Sequence, residues 1–191
     1  MKRILIALVL LLALTICGHA EDAARLENKP YRFAFTFQPG TELAYEEDGV
    51  GFKGSHMPEG SQTPDYGILV YGSPAMQLSA GEAKAAKLGK AALMLQAKDV
   101  ADDKKWTAIF SAIMTARGDK HAGDAQVKSG KTSVSVPYYT WEQTLGGHTH
   151  HALMYVVKHG DAFIYVQVES NNGLSKAQEA WMASKLELLA N

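Results

Sequence analysis

The feature that most limits how this chain can fold is the segment Ala162 to Ser170, Ala-Phe-Ile-Tyr-Val-Gln-Val-Glu-Ser. Ala162, Ile164, Val166 and Val168 fall on one parity, and that period of two commits the segment to a strand with one apolar face. His159-Gly160-Asp161 before it and Asn171-Asn172-Gly173 after it are turn formers, so the strand enters and leaves sharply, as in an antiparallel meander.

The same reading extends along the chain. Tyr31, Phe33, Phe35 and Phe37 alternate with smaller or polar residues and predict a strand with an aromatic face, ended by Pro39-Gly40. Between Tyr45 and Phe52, Asp48-Gly49 marks a hairpin turn, because glycine tolerates the positive φ such turns require. Residues 55–65, with Pro58, Gly60 and Pro64, form a loop, and Gly67 to Tyr71 resumes as a short buried strand. Thr132 to Gln143 reads as a strand with Val134, Val136 and Tyr138 on one side and Tyr139 and Trp141 on the other. Pro137 places it at an edge or a bulge. Gly146-Gly147 then turns into a strand from His148 to Lys158.

Three helices are expected. Ser79-Ala80-Gly81-Glu82 is a capping box opening an Ala-, Lys- and Leu-rich helix to about Gln96. Trp106 to Met114 fits both alternation and a helical stripe. Asp102-Asp103 ahead of it and Arg117-Gly118 after it favour helix. Ser175-Lys176-Ala177-Gln178 is a second capping box, and the helix it opens carries an apolar stripe of Ala177, Ala180, Trp181 and Leu188. Runs of strands broken by helices, without strict alternation, predict an α+β fold: a mostly antiparallel sheet covered by helices.

The first twenty residues read as an export signal. Lys2 and Arg3 lead an apolar run, Ile4 to Ile16, broken only by Thr15, and Gly18-His19-Ala20 offers small residues before a cut. The run is shorter than the ~20 residues that span a bilayer. Residues 1–20 are therefore expected to be removed, leaving residues 21–191 as one α+β domain that acts outside the cytoplasm, in the periplasm or beyond. The lone cysteine, Cys17, lies within the leader. Its alternative role is a lipid anchor, which the bulky Ile16 before it disfavours. Cleavage after Ala20 leaves no thiol, so disulfides, thiolate catalysis and Cys-ligated metals fall away.

With 19 basic against 20 acidic residues, interspersed along the chain, no basic face exists to neutralise phosphates, and nucleic acid is not expected as a partner. No second long apolar segment predicts a transmembrane span.

The order of these elements resembles the PsbP/DcrB-type αβ sandwich. The resemblance rests on Tyr-Arg-Phe-Ala-Phe-Thr-Phe-Gln-Pro-Gly at 31–40, on Tyr-Tyr-Thr-Trp-Glu at 138–142, on Gly-Asp-Ala-Phe-Ile-Tyr-Val-Gln-Val-Glu-Ser at 160–170 and on the Trp-containing last helix. It implies an exported accessory or scaffold protein that binds partners without catalysis. The family pattern offers no catalytic residue to carry over.

The one concentration of reactive side chains is His148-Thr149-His150-His151. On a strand, His148 and His150 share a face with α-carbons about 6.5 to 7 Å apart, within reach of one Cu²⁺, Zn²⁺ or Ni²⁺ ion. His151 faces the other side unless the chain bulges. A full site needs a further ligand, with His56, His121, His159 or a carboxylate as candidates. The plainer reading is a solvated histidine cluster at a hairpin start, or one that charges together near pH 6.5. Tyr138, Tyr139 and Trp141 are candidates for a stacking platform, although alternating aromatics more commonly pack as core on both sides of a covered sheet. Glu46-Glu47-Asp48 reads as a solvated turn, and Asp99, Asp102 and Asp103 as helix-start charges. No nucleophile elbow, zinc-protease helix or phosphate-cradling loop occurs. A dispersed Ser-His-Asp site would be recognisable only by geometry. The expected function is thus non-enzymatic: an accessory protein docking to an envelope component, with transition-metal binding at His148, His150 and His151 as the alternative and an unrecognised hydrolase third.

Overall fold

The computed structural model describes residues 23–46, 49–89, 93–120, 128–145 and 148–190. The expected leader, Cys17, Asp48, His121 and the Gly146-Gly147 turn lie outside them.

The strands are β1 (Arg25–Asn28), β2 (Phe33–Thr36), β3 (Thr41–Tyr45), β4 (Gly51–His56), β5 (Tyr66–Ser73), β6 (Ala75–Gln77), β7 (Met94–Gln96), β8 (Lys128–Lys131), β9 (Pro137–Leu145), β10 (His148–His159), β11 (Ala162–Ser170) and β12 (Leu186–Leu188). The helices are α1 (Ala80–Ala85), α2 (Asp103–Lys120) and α3 (Lys176–Ser184). A seven-stranded sheet runs β3-β4-β5-β11-β10-β9-β8, a three-stranded sheet runs β1-β2-β12, and β6 and β7 pair alone. Every pairing is antiparallel. The α+β expectation is met.

β11 lies at the middle of the large sheet, and its alternation builds both sides of the core. Ile164, Val166 and Val168 line up with Val157, Tyr155 and Leu153 of β10 and with Val70 and Ile68 of β5, giving one continuous apolar face. The small sheet covers that face. Phe33 and Phe37 meet Phe52 edge-on, at 5.7 and 6.3 Å between ring centres. The fully buried Tyr155 donates its hydroxyl to the Met182 carbonyl of α3 at 2.8 Å, so the phenol enters the core with its polar end satisfied. On the opposite face α2 lays Trp106 over Phe163 at 4.5 Å and Phe110 against Tyr139 at 5.5 Å. The Trp106 Nε1–H donates to the Val156 carbonyl at 2.8 Å. Fully burying aromatics of this size contributes on the order of 2–3 kcal/mol each.

Three expectations need correction. The helix predicted to reach Gln96 stops at Ala85, where Lys87 turns left-handed (φ 55°) and the Leu88 N–H returns to the Ala83 carbonyl at 2.9 Å. Residues 94–96 pair instead as β7, which buries Leu95 opposite Met76. Burial there outweighs the helix propensity of the Ala- and Lys-rich stretch. The strand predicted from Thr132 begins only at Pro137. Thr132 closes a turn on the Val136 carbonyl through both its main-chain N–H and its hydroxyl, with Ser135 at φ 62°. Val134 and Val136 therefore sit in the β8–β9 turn. On α3 the buried residues are Met182 and Ala183, while Ala177 and Ala180 are exposed and Leu188 belongs to β12. The helix is too short for the expected stripe, because the chain leaves it at once to pair with β2.

Candidate functional site

The histidine-rich segment lies on a strand without a bulge. His148, His150 and His151 stand opposite Leu145, Gln143 and Glu142 of β9 in unbroken register. His148 and His150 thus share a parity, and His151 points through the opposite face of the sheet. His150 is exposed. The His151 Nδ1 lies 3.3 Å from Glu142 Oε1. The side chain of His148 lies outside the described set. Of the further ligands considered, His56 is bonded to Asp65 and the His159 Nε2 lies 3.1 Å from the Leu189 carbonyl. Among the described residues no group of three or more His, Cys, Asp or Glu side chains converges to hold a metal ion.

The aromatic platform separates as alternation requires. Tyr139 is core, packed on Phe110 and donating to the Ser111 hydroxyl at 2.7 Å. Trp141 is half-buried on the same side, and Tyr138 lies on the other. The Tyr138 ring occupies the space that a Cβ on Gly130 would fill.

Two features emerge only from the strand pairing. The first joins β4, β5, β11 and α3 at one margin of the sheet. His56 Nδ1 lies 2.7 Å from Asp65 Oδ1, and Gln178 Nε2 donates to Asp65 Oδ2 at 2.7 Å. The His56 ring stacks on Tyr66 at 4.9 Å, and the Tyr66 hydroxyl donates to Gln38 Oε1 at 2.6 Å. Burial, followed by the neighbouring Asp65 carboxylate, pushes the Tyr66 phenol above its ordinary range. The His–Asp pair invites comparison with a hydrolytic triad. However, the Ser170 hydroxyl shares its one proton between the main-chain oxygens of Asp65 and Gly173, at 2.6 and 3.0 Å. That hydroxyl is a brace for the 57–65 loop, not a nucleophile aligned with His56.

The second feature is a groove of about 240 Å³ on the side of the large sheet that α2 covers elsewhere. Three strands build it through the parity they turn away from the small sheet. β4 gives Lys53 and Ser55, β5 gives Leu69 and the bare Gly67, and β11 gives Gln167 and Glu169. An added Cβ at Gly67 would meet nothing closer than 4.0 Å, so the glycine leaves real space in the floor. Glu46 closes one end. Among the described residues the groove has a small apolar base rimmed by the carboxylates of Glu46 and Glu169 and the ammonium of Lys53, a composition suited to recognition. Its sequence signal was the alternation of Gln167 and Glu169 against Val166 and Val168, which marks a polar parity without revealing what lies across from it.

No family model matches the chain, and no curated protein matches it. Solved structures similar to the chain include two that illustrate the likeness. One is a crystal structure from Bacteroides thetaiotaomicron, with a TM-score of 0.45 and 9% identity, covering 88% of this chain and 49% of the other. The present chain thus spans about half the length of that protein. The second is the solution structure of cyanobacterial PsbP from Synechocystis, with a TM-score of 0.43 and 14% identity, covering 92% of this chain and 99% of the other. PsbP is the family whose resemblance the sequence suggested, and the likeness is one of overall fold. Among the described residues no helix is long and apolar enough to cross a membrane.

Proposed function

We propose that this is an exported, non-enzymatic accessory protein of the cell envelope, and that it docks to another envelope component through the groove over β4, β5 and β11. The observation that carries the reading is the groove itself. Among the described residues α2 packs on the β9 and β10 side of this face, and the floor over β4, β5 and β11 is opened by Gly67 beside Leu69. An antiparallel sheet face that only meets water needs no such concavity. Glu46 and Glu169 against the single Lys53 favour a partner segment that carries an apolar residue flanked by basic ones.

The test is a photo-crosslinking residue at Gln167 in living cells, compared with the same residue at the exposed Lys176 on α3. An adduct with one envelope protein is expected from position 167 and not from 176. It should be lost in Gly67→Phe, which fills the groove, and kept in Gly67→Ala. Equal adducts at both positions, or none at 167, would sink the docking reading. Mass spectrometry of the same material should find Glu21 at the amino terminus; an intact Met1 would overturn export.

A second reading is supported by the unbulged register of β10. His148 and His150 occupy same-parity positions and offer two ligands for Cu²⁺, Zn²⁺ or Ni²⁺. Calorimetry should then show an affinity that weakens in His150→Ala and is unchanged in His151→Ala. Equal weakening in both variants removes this reading.

A further inference from the structure

We infer that the cavity between the start of α2, the β8–β9 turn and the end of β10 is a binding site for a small amphipathic carboxylate. It is separate from the docking groove and does not rest on it.

The cavity follows from how β10 loses a neighbour. On the β11 side its ladder continues to His159, but on the β9 side it ends at the pair Met154 and Tyr139. The chain that would continue that ladder is folded back by Thr132, passes through Ser135 at φ 62°, and starts β9 with a proline. A serine held left-handed costs on the order of 1 kcal/mol, and such strain gathers at ligand clamps. Trp106 takes the Val156 carbonyl on the vacated side. One step along the pleat, Lys158 turns its main chain the same way. A cavity of about 260 Å³ opens there.

Its lining divides by chemistry. The walls are Trp106, Val134, Val136, Val157 and Leu188. Trp106, Val136 and Val157 are buried and back the cavity, the half-buried Val134 and Leu188 give it its apolar surface, and Thr107 and Ser135 add two hydroxyls to the lining. The cations Lys104 and Lys158 line it, against the single carboxylate of Asp103. Lys158 is oriented by donating to the Gly160 carbonyl at 2.9 Å, and the Arg32 guanidinium lies against the same glycine. Hydrocarbon walls with a net positive lining match a short acyl or aryl body bearing one anionic head. A cavity of about 260 Å³ lies at the small end of ligand pockets, which suits a molecule the size of hexanoate or benzoate.

The experiment is a titration of the mature ¹⁵N-labelled protein with hexanoate, followed by amide and indole resonances. Saturable shifts are expected at the Trp106 indole N–H and at the amides of Ser135, Val136 and Lys158. Hexylamine should bind more weakly. Lys104→Gln, a change at an exposed position, should lower hexanoate affinity by about threefold, the worth of one solvent-facing ion pair. Val134→Phe should abolish the shifts by filling the cavity. Shifts scattered over the surface, equal binding of hexylamine, or an unchanged affinity in Lys104→Gln would overturn the assignment.

Discussion

Glu82 shows how one side chain can serve several elements at once. It is buried at 7% exposure, yet it carries a carboxylate. It accepts from the Ser79 main-chain N–H at 2.7 Å, closing the capping box of α1, and from Arg117 Nε of α2 at 2.6 Å. Burial opposes the charge, but the Ser79 N–H and the Arg117 guanidinium outweigh it and hold the carboxyl below its ordinary value of 4.5. The sign follows from linkage. A depressed folded pKa gives stability that is full above 4.5 and is lost as pH falls through the folded value. Glu82→Gln should therefore cost about 1–2 kcal/mol near pH 7, discounted because Arg117 is partly exposed. The gap from the native protein should narrow steadily in acid. Urea midpoints measured across that range decide it: a gap that stays constant with pH would show that the charge contributes nothing.

Among the elements, those written in local pattern formed as the sequence predicts. β11 has the parity of Ala162, Ile164, Val166 and Val168, and both Ser-x-x-Glu/Gln boxes cap helices. Where the outcome turned on distant partners, local pattern failed. Residues 94–96 joined β6 because Leu95 could be buried, and residues 132–136 became a turn tied to the end of α3, where the Ser133 N–H donates to the Ala183 carbonyl at 2.8 Å. The candidate sites divide the same way. The histidine cluster is plain in the sequence, and the unbulged register keeps His150 and His151 on opposite faces as alternation predicts. The groove draws Lys53, Leu69 and Gln167 from three strands that no local window spans. The early end of α1 carries its own test. Lys87 sits at φ 55° just past the helix, where a side chain is strained and glycine is not. Lys87→Gly should raise stability by about 0.5–1 kcal/mol in thermal or urea melts. A loss would mean that the Lys87 side chain matters more to this turn than its backbone does.

At the scale of the whole molecule, residues near the two ends of the described chain close the same small sheet, and that sheet seals one face of the large one. β2 lies between β1 and β12, with Leu186 opposite Phe35. The Thr36 N–H donates to the Lys185 carbonyl, the Leu189 N–H to the Arg32 carbonyl and the Ser133 hydroxyl to the Leu186 carbonyl. Leu186 is 2% exposed, so its loss leaves a cavity over the phenylalanines as well as an unpaired strand edge. Truncating a buried leucine costs about 2–5 kcal/mol, and the lost hydrogen bonds add about 1 kcal/mol each. Against a total stability of about 5–15 kcal/mol, removal of residues 185–191 should unfold the protein or lower its Tm by roughly 10–20 °C. Leu186→Ala, which keeps the backbone pairing, should fall between the native and truncated forms. Circular dichroism melts of the three proteins separate the contributions. A truncated chain melting within a few degrees of the native one would show that the large sheet and α2 hold themselves together, with the small sheet only resting on them.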